Sequence, residues 1–174
     1  MTRATTLTLA LLLAATGLIA QSGNYTEFTQ GGQDNVAELN QSFSPGSLVG
    51  VQDGSMNSLR AFQRGSGVDV FVEQIGVVGT ININQNGVAQ LMTIEQLGEM
   101  NTLTATQRDE ATELKVAQDG FDNSTTTFQD GLNGLMQIEQ LGQGNTLSAS
   151  QKLDDHTMVL SQNGANNTLR VTVF

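Results

Sequence analysis

Apolar and polar side chains alternate along short stretches of this chain, and the stretches recur every eleven residues. Seven residues after each repeat-marking glutamine the side chain is apolar in twelve of thirteen repeats, and an apolar side chain is again usual two residues later. A period of two is typical of a strand with one buried face, so each repeat predicts one half-buried β-strand. The glutamines that mark the repeat are Gln30, Gln41, Gln52, Gln63, Gln74, Gln85, Gln96, Gln107, Gln118, Gln129, Gln140, Gln151 and Gln162.

Glycine and asparagine occupy the segments between the predicted strands, where both residue types tolerate a positive φ. Glycine follows most of the glutamines by two residues, and in alternate repeats these turn glycines are Gly32, Gly54, Gly76, Gly98, Gly120, Gly142 and Gly164. Asparagine follows the same alternate glutamines by five residues, except at Gly79, and these asparagines are Asn35, Asn57, Asn101, Asn123, Asn145 and Asn167. The true repeat is therefore a pair of similar halves, each of eleven residues.

A strand, an arc, a second strand and a second arc make one rung, which contains both halves of the repeat. The pattern predicts an all-β parallel β-solenoid with two facing parallel sheets, and it assigns six full rungs and a final half rung to residues 30–174. Rungs of this kind stack about 4.7–4.9 Å apart, and the two sheets lie about 10 Å apart. Eleven-residue repeats also occur in right-handed helical coils. We reject that alternative because each recurring glycine would cost a helix about 1 kcal/mol.

Equivalent residues of successive rungs in such a solenoid lie directly above one another, so the inward glutamines and the asparagines should form ladders. We expect each amide to donate to the rung on one side and to accept from the rung on the other. Thr125 and Thr127 replace both apolar positions of one half-repeat. We expect their buried hydroxyls to lack amide partners and to make that rung the weakest.

The segment from Gln30 to Gln41 contains the intact motif Gln-x-Gly-x-x-Asn-x-Ala-x-x-x-Gln. This motif and its period resemble the curlin repeat of curli fibre subunits, over residues 30–174. The resemblance implies a functional amyloid that becomes cross-β on assembly and serves adhesion and biofilm matrix. It also implies self-assembly into a homopolymer that forms an extracellular fibre attached to the bacterial surface. The partners that it implies are a second curlin subunit, an outer-membrane secretion pore and accessory chaperones.

The chain departs from the family's major subunit at one repeat position. The serine that precedes the first glutamine of each repeat by six residues is absent, and the apolar Leu48 and Val70 lie four residues before such glutamines. Apolar residues at this position resemble the minor, nucleating subunit. The strongly basic final repeat of a nucleator is, however, missing, so both subunit types remain open.

Composition and the first residues indicate where the protein acts. Residues 1–20 begin with Arg3, continue through an apolar run and end in small residues, which predicts a secretory signal peptide with cleavage after Ala20. Residues 21–29 are a short N-terminal segment and a candidate for targeting to the pore. The formal charge of −10 disfavours nucleic acid as a partner.

The sequence offers little for catalysis. His156 is the sole histidine and the chain has no cysteine, so we expect no enzymatic activity, no catalytic residue, no metal site and no cofactor. The main alternative function is ice binding by a soluble solenoid. Outward Thr and Ser side chains, such as those of 102–106 and 146–150, would form a flat polar array on one face.

Overall fold

The computed structural model describes residues 23–42 and 45–174; the predicted signal peptide lies outside them. No helix in these described ranges is long and apolar enough to cross a bilayer. The strands are β1 (Asn24–Gln30), β2 (Val36–Ser42), β3 (Gly46–Ser55), β4 (Ser58–Ser66), β5 (Val68–Val77), β6 (Thr80–Val88), β7 (Leu91–Glu99), β8 (Thr102–Glu110), β9 (Glu113–Phe121), β10 (Ser124–Gln129), β11 (Leu135–Gln143), β12 (Thr146–Gln151), β13 (Thr157–Ala165) and β14 (Thr168–Val173).

The strands form two seven-stranded sheets. Sheet 1 contains the odd-numbered strands and sheet 2 the even-numbered strands, each in sequence order. Every pairing is parallel and joins equivalent residues of successive rungs, as in Gln74 opposite Gln96 in sheet 1 and Gln85 opposite Gln107 in sheet 2. The prediction of a parallel β-solenoid with 22-residue rungs is therefore confirmed.

The core is a narrow layer between the two sheets. Along β6 the inward Ile81 and Ile83 are buried, while the alternating Asn82 and Asn84 face outward. The same alternation runs along the other interior strands, so each rung contributes two inward positions per sheet to the apolar layer. The buried side chains of this core are Leu48, Leu59, Ala61, Val70, Val72, Ile81, Ile83, Met92, Ile94, Leu103, Ala105, Leu114, Val116, Met136, Ile138, Leu147, Ala149 and Met158.

The solenoid begins earlier than the glutamine register indicates. Strand β1 starts at Asn24 and pairs with β3, so most of the segment 21–29 is the first strand of sheet 1 and the described chain makes seven turns. Phe28 on β1 lies opposite Gly50, and its ring fills the space that a side chain at Gly50 would need. Counting forward from Gln30 leaves out the strand that precedes this first glutamine.

The arcs use a second left-handed position that the glycine pattern did not predict. Four residues after every register glutamine except Gln41, the backbone has a φ between 52° and 65°. Glycine holds this position at Gly67 and Gly144, but larger side chains hold it elsewhere. They are Asp34, Met56, Val78, Ala89, Met100, Ala111, Asp122, Asn133, Asp155 and Asn166.

Val78 is the most strained residue of this set. It has a φ of 58°, which is costly for a β-branched side chain, and it is 44% exposed. We expect Val78→Asn to raise the free energy of unfolding by about 1 kcal/mol, because asparagine tolerates this conformation. Urea unfolding would measure the change. Val88→Asn is the control, since Val88 is equally exposed without a positive φ; an equal gain at both sites would contradict the strain argument.

Candidate functional site

The first amide ladder runs along sheet 1 at the edge of the core. In each step the Nε2 of one glutamine donates to the Oε1 of the glutamine 22 residues later, at 2.8–2.9 Å. The ladder contains Gln30, Gln52, Gln74, Gln96, Gln118, Gln140 and Gln162. All except Gln30 are buried. Each step has the same direction, so the ladder is polar along the solenoid axis.

The second ladder runs along sheet 2 at the opposite edge of the core. Its donor–acceptor distances range from 2.7 to 3.4 Å, so it is less regular than the first. It contains Gln41, Gln63, Gln85, Gln107, Gln129 and Gln151. The ladder ends at Gln151, because the next position in the register is Val173. The Gln151 amide donates to the His156 carbonyl.

The glutamines also join the two sheets. The Nε2 of Gln96 in sheet 1 donates a second bond to the carbonyl of Thr80 in sheet 2, at 3.3 Å. In the second ladder, Gln63 donates to the Ser47 carbonyl of sheet 1 at 2.9 Å. Both amide protons of these buried side chains thus find acceptors, which removes the cost of burying an amide.

The asparagine side chains do not form the side-chain ladder that the sequence predicted. Asn123 Nδ2 donates to the carbonyls of Asp119 and Gly142 in the arcs of its own and the next rung, and its Oδ1 accepts the backbone N–H of Asn145. The asparagines therefore bond to backbone and do not join their own copies side chain to side chain. The same pattern holds for Asn35, Asn57, Asn101 and Asn145, while Asn167 makes the bond within its own arc.

The turn glycines form a column in which the backbones of successive rungs touch. A Cβ on Gly98, whose φ is 100°, would lie 2.0 Å from the carbonyl oxygen of Gly120. Comparable distances of 1.7–2.0 Å apply at Gly32, Gly54, Gly76, Gly120 and Gly142. At Gly164 the nearest atom is Asn167 Nδ2, at 3.0 Å, because no rung of the described chain follows.

Thr125 and Thr127 have opposite environments although both are buried on β10. Thr125 Oγ1 donates to Gln140 Oε1 at 2.8 Å and accepts from Gln118 Nε2 at 3.3 Å. The expectation that it would lack an amide partner is wrong, because its side chain lies within reach of the first ladder. Thr127 Oγ1 has no hydrogen-bond partner among the described residues.

These two threonines give a matched pair of substitutions. We expect Thr127→Val to raise the free energy of unfolding by about 1 kcal/mol, because it removes an unpaired buried hydroxyl without changing the side-chain shape. Thr125→Val should lower it by about 1 kcal/mol, because two ladder amides lose a partner. Urea midpoints of the two variants measure the difference. Equal effects in the same direction would contradict these hydrogen-bond assignments.

A charged and aromatic cluster lies on the outer edge of sheet 2. Arg108 and Lys152 stand 5.3 and 5.9 Å from the centre of the Phe128 ring. Burial raises the pKa of Asp130, and the hydrogen bond and charge of Asp109 raise it further, while Arg108 and Lys152 lower it. The protonated form is thus more favoured in the folded chain than in the unfolded chain. Its contribution to stability is present in acid and is lost as the pH rises through the raised pKa.

The two end faces of the solenoid carry unpaired edges. We call the edge of β1 and β2 the N-terminal face and the edge of β13 and β14 the C-terminal face. Within the described residues each of these four strands pairs with one neighbour only. In the same part of the chain, the first ladder ends with a free Nε2 on Gln162 at the C-terminal face and starts with a free Oε1 on Gln30 at the N-terminal face. The C-terminal face therefore offers a hydrogen-bond donor where the N-terminal face offers the matching acceptor, and both faces have unpaired strand backbone.

The outer face of sheet 2 places small hydroxyl side chains in register. Thr80, Thr102, Ser124, Thr146 and Thr168 occupy one column along five successive strands. The neighbouring column contains Thr104, Thr126 and Ser148 and ends at Arg170. The array is regular over the middle rungs and is interrupted by charged residues toward both ends.

Residues 23–42 and 45–174 contain no group of three or more His, Asp or Glu side chains that could hold a metal ion. Comparisons with family models, with curated proteins and with solved structures found no match to this chain.

Proposed function

We propose that this chain is a secreted structural subunit that stacks end to end into fibres of the curli type. The observation that carries the proposal is the complementarity of the two end faces. Each face is a row of unpaired strand backbone that has the same spacing and direction as the interior pairings. A second copy added in this register continues both sheets, and the product is cross-β.

The glutamine motif supports the curlin assignment. The register of Gln30 to Gln162 and the glycine column repeat in every turn, as the resemblance to the curlin repeat implies. We propose accordingly that the fibres lie outside the cell on a bacterial surface and serve adhesion and biofilm matrix. A secretion pore, chaperones and a second curlin subunit are the partners that this proposal requires.

The first test is the assembly of purified protein released from denaturant. We expect thioflavin T fluorescence to rise after a lag that preformed seeds remove. Fibre diffraction should give one reflection at about 4.7 Å and another at about 10 Å, the spacings of strands and of facing sheets. Fibres that form promptly without seeds would assign the nucleating role in place of the major one. A stable β-rich monomer that forms no fibres would contradict the proposal and would favour the alternative that follows.

Ice binding is the alternative, and the hydroxyl columns of sheet 2 favour it. Thr102, Ser124 and Thr146 repeat at the rung spacing of about 4.7–4.9 Å along the outer face of sheet 2. Such an array would act in a monomer, independently of the end faces. Thermal hysteresis in a solution of monomers, lost on Thr102→Lys, would support this function.

Gly164→Ala provides a sharper test of stacking. The φ of 116° at Gly164 strains an alanine, but within the monomer its Cβ meets only the Asn167 side chain, at 3.0 Å. In a stack it would also collide with the Gly32 carbonyl of the next copy, as a Cβ at Gly142 would collide with the Gly164 carbonyl inside the chain. We expect a folded monomer that forms no fibres and that slows the growth of wild-type seeds at substoichiometric amounts. Gly67→Ala, where a Cβ meets no atom within 3.4 Å, is the control. Normal growth of the Gly164→Ala protein would contradict end-to-end stacking.

A further inference from the structure

The charges of the two end faces are opposite in sign. Strands β1 and β2 carry Glu27 and Glu38 and no basic residue. Strands β13 and β14 carry Arg170 as their single charged residue. Since the whole chain has a formal charge of −10, a positive edge is unusual for this protein. The edges attract in one orientation, head to tail, and the two acidic edges repel each other.

The register identifies the residues that meet across the joint. Interior pairings place each residue opposite its equivalent in the next rung, so the column that contains Arg170 is also the column of Glu38 and Arg60. Continuation of the first ladder brings Gln162 of one copy against Gln30 of the next. In the same register Arg170 of the first copy lies beside Glu38 of the second.

The interior of the chain already contains this ion pair. Arg60 Nε lies 2.7 Å from Glu38 Oε2, between adjacent strands of sheet 2, and the two side chains are 58% and 51% exposed. Glu38 therefore has a basic partner on its inner side, and its outer side faces solvent on the N-terminal face. Within the described residues Arg170 makes no salt bridge, and its side chain is exposed.

We propose that Arg170 and Glu38 form an intermolecular ion pair that selects a second copy of this chain in head-to-tail orientation. The inference rests on the proposed stacking function and names the residues that give the joint its polarity. Cross-strand pairs of opposite charge stabilise a sheet, and like charges in the same position destabilise it. The pair selects the partner, while the backbone bonds and the first ladder supply most of the binding.

Charge reversal in separate molecules tests this pair. Arg170→Glu alone would place two acids at every joint, and Glu38→Arg alone would place two bases there. We expect each variant to have a critical concentration for fibre growth about tenfold above wild type, which corresponds to about 1.4 kcal/mol per joint. An equimolar mixture should assemble near the wild-type concentration, because every joint of an alternating copolymer has one acid and one base.

Two controls make the same changes in net charge away from the faces. Arg64→Glu and Glu139→Arg alter exposed side chains on interior strands and should assemble as wild type does. The inference is wrong if either reversed variant assembles alone as well as wild type, or if the mixture assembles no better than its components. Failure of the wild-type protein to form fibres would instead overturn the stacking function, and this inference with it.

Discussion

Gly98→Ala is expected to lower the free energy of unfolding by roughly 4 kcal/mol or more, or to prevent folding. Gly98 has a φ of 100°, which strains any residue with a Cβ, and that Cβ would lie 2.0 Å from the Gly120 carbonyl oxygen. The added Cβ is fixed to the backbone of Gly98, and the atoms that it would meet belong to the backbone of Gly120, so no side-chain rotation relieves the collision. The two rungs must separate, which breaks the neighbouring parallel pairings and the ladder step from Gln96 to Gln118. Circular dichroism during urea unfolding measures the loss.

Gly67→Ala is the control for this substitution. Gly67 occupies the other left-handed position of an arc, with a φ of 65°, and Ala89 and Ala111 already occupy that position in later arcs. The nearest atoms to its added Cβ lie at 3.5 Å, an ordinary contact. We expect a loss of about 1–2 kcal/mol, the cost of a left-handed alanine without a collision. Similar losses of stability in the two variants would show that the positive φ alone causes the loss and that the collision between rungs contributes nothing.

Gln96→Glu is expected to lower the free energy of unfolding by about 4 kcal/mol at pH 7. The side chain is buried, donates to Gln118 Oε1 at 2.9 Å and to the Thr80 carbonyl at 3.3 Å, and accepts from Gln74. A carboxylate keeps the bond from Gln74 but has no proton for the other two acceptors. The ladder is thus interrupted between residue 96 and Gln118, and a negative charge is buried.

The pH dependence of this variant has a definite sign. Burial and the facing oxygens favour the neutral acid, so the pKa of the introduced carboxyl group in the folded chain lies above its value in the unfolded chain. The deficit is therefore largest at neutral pH and shrinks as the pH falls through the raised pKa, because the protonated acid again donates to Gln118. Gln137→Glu, at an exposed position on β11, should change stability little at any pH. A Gln96→Glu deficit independent of pH would contradict the ladder.

The fold could be predicted from the sequence because every rung repeats the same pattern of glutamine, glycine and apolar positions. Each glutamine defines a register, and twelve apolar residues at one repeat position predict the inward face, so one misread rung does not change the outcome. The alternation of period two and the recurring glycines are both incompatible with a helix. The parallel pairing follows because identical rungs stack best when equal residues lie above one another.

The details that could not be predicted depend on three-dimensional contacts. Gly, Asn or Asp occupies seven of the twelve left-handed positions in the arcs, but Val78 and Met100 occupy two of the others, so no single residue type marks the position. Asparagine reaches backbone carbonyls in two rungs because its side chain lies in the arc, which spacing alone does not reveal. Thr125 is satisfied only because the first ladder passes beside it. The first strand lacks a preceding glutamine, so the register alone places it in a separate segment.

Paired residues of neighbouring strands are always 22 positions apart, so whole rungs can be added or removed without disturbing the pairing of the others. Removing a segment such as 80–101 would join Gly79 to Thr102, and the strands on either side would keep their faces, their ladder positions and their glycine column. A change of one residue would instead turn every following side chain of that strand to the opposite face. Since each rung contacts only its neighbours, genes for such chains can gain or lose whole repeats by unequal recombination and still encode the same two ends.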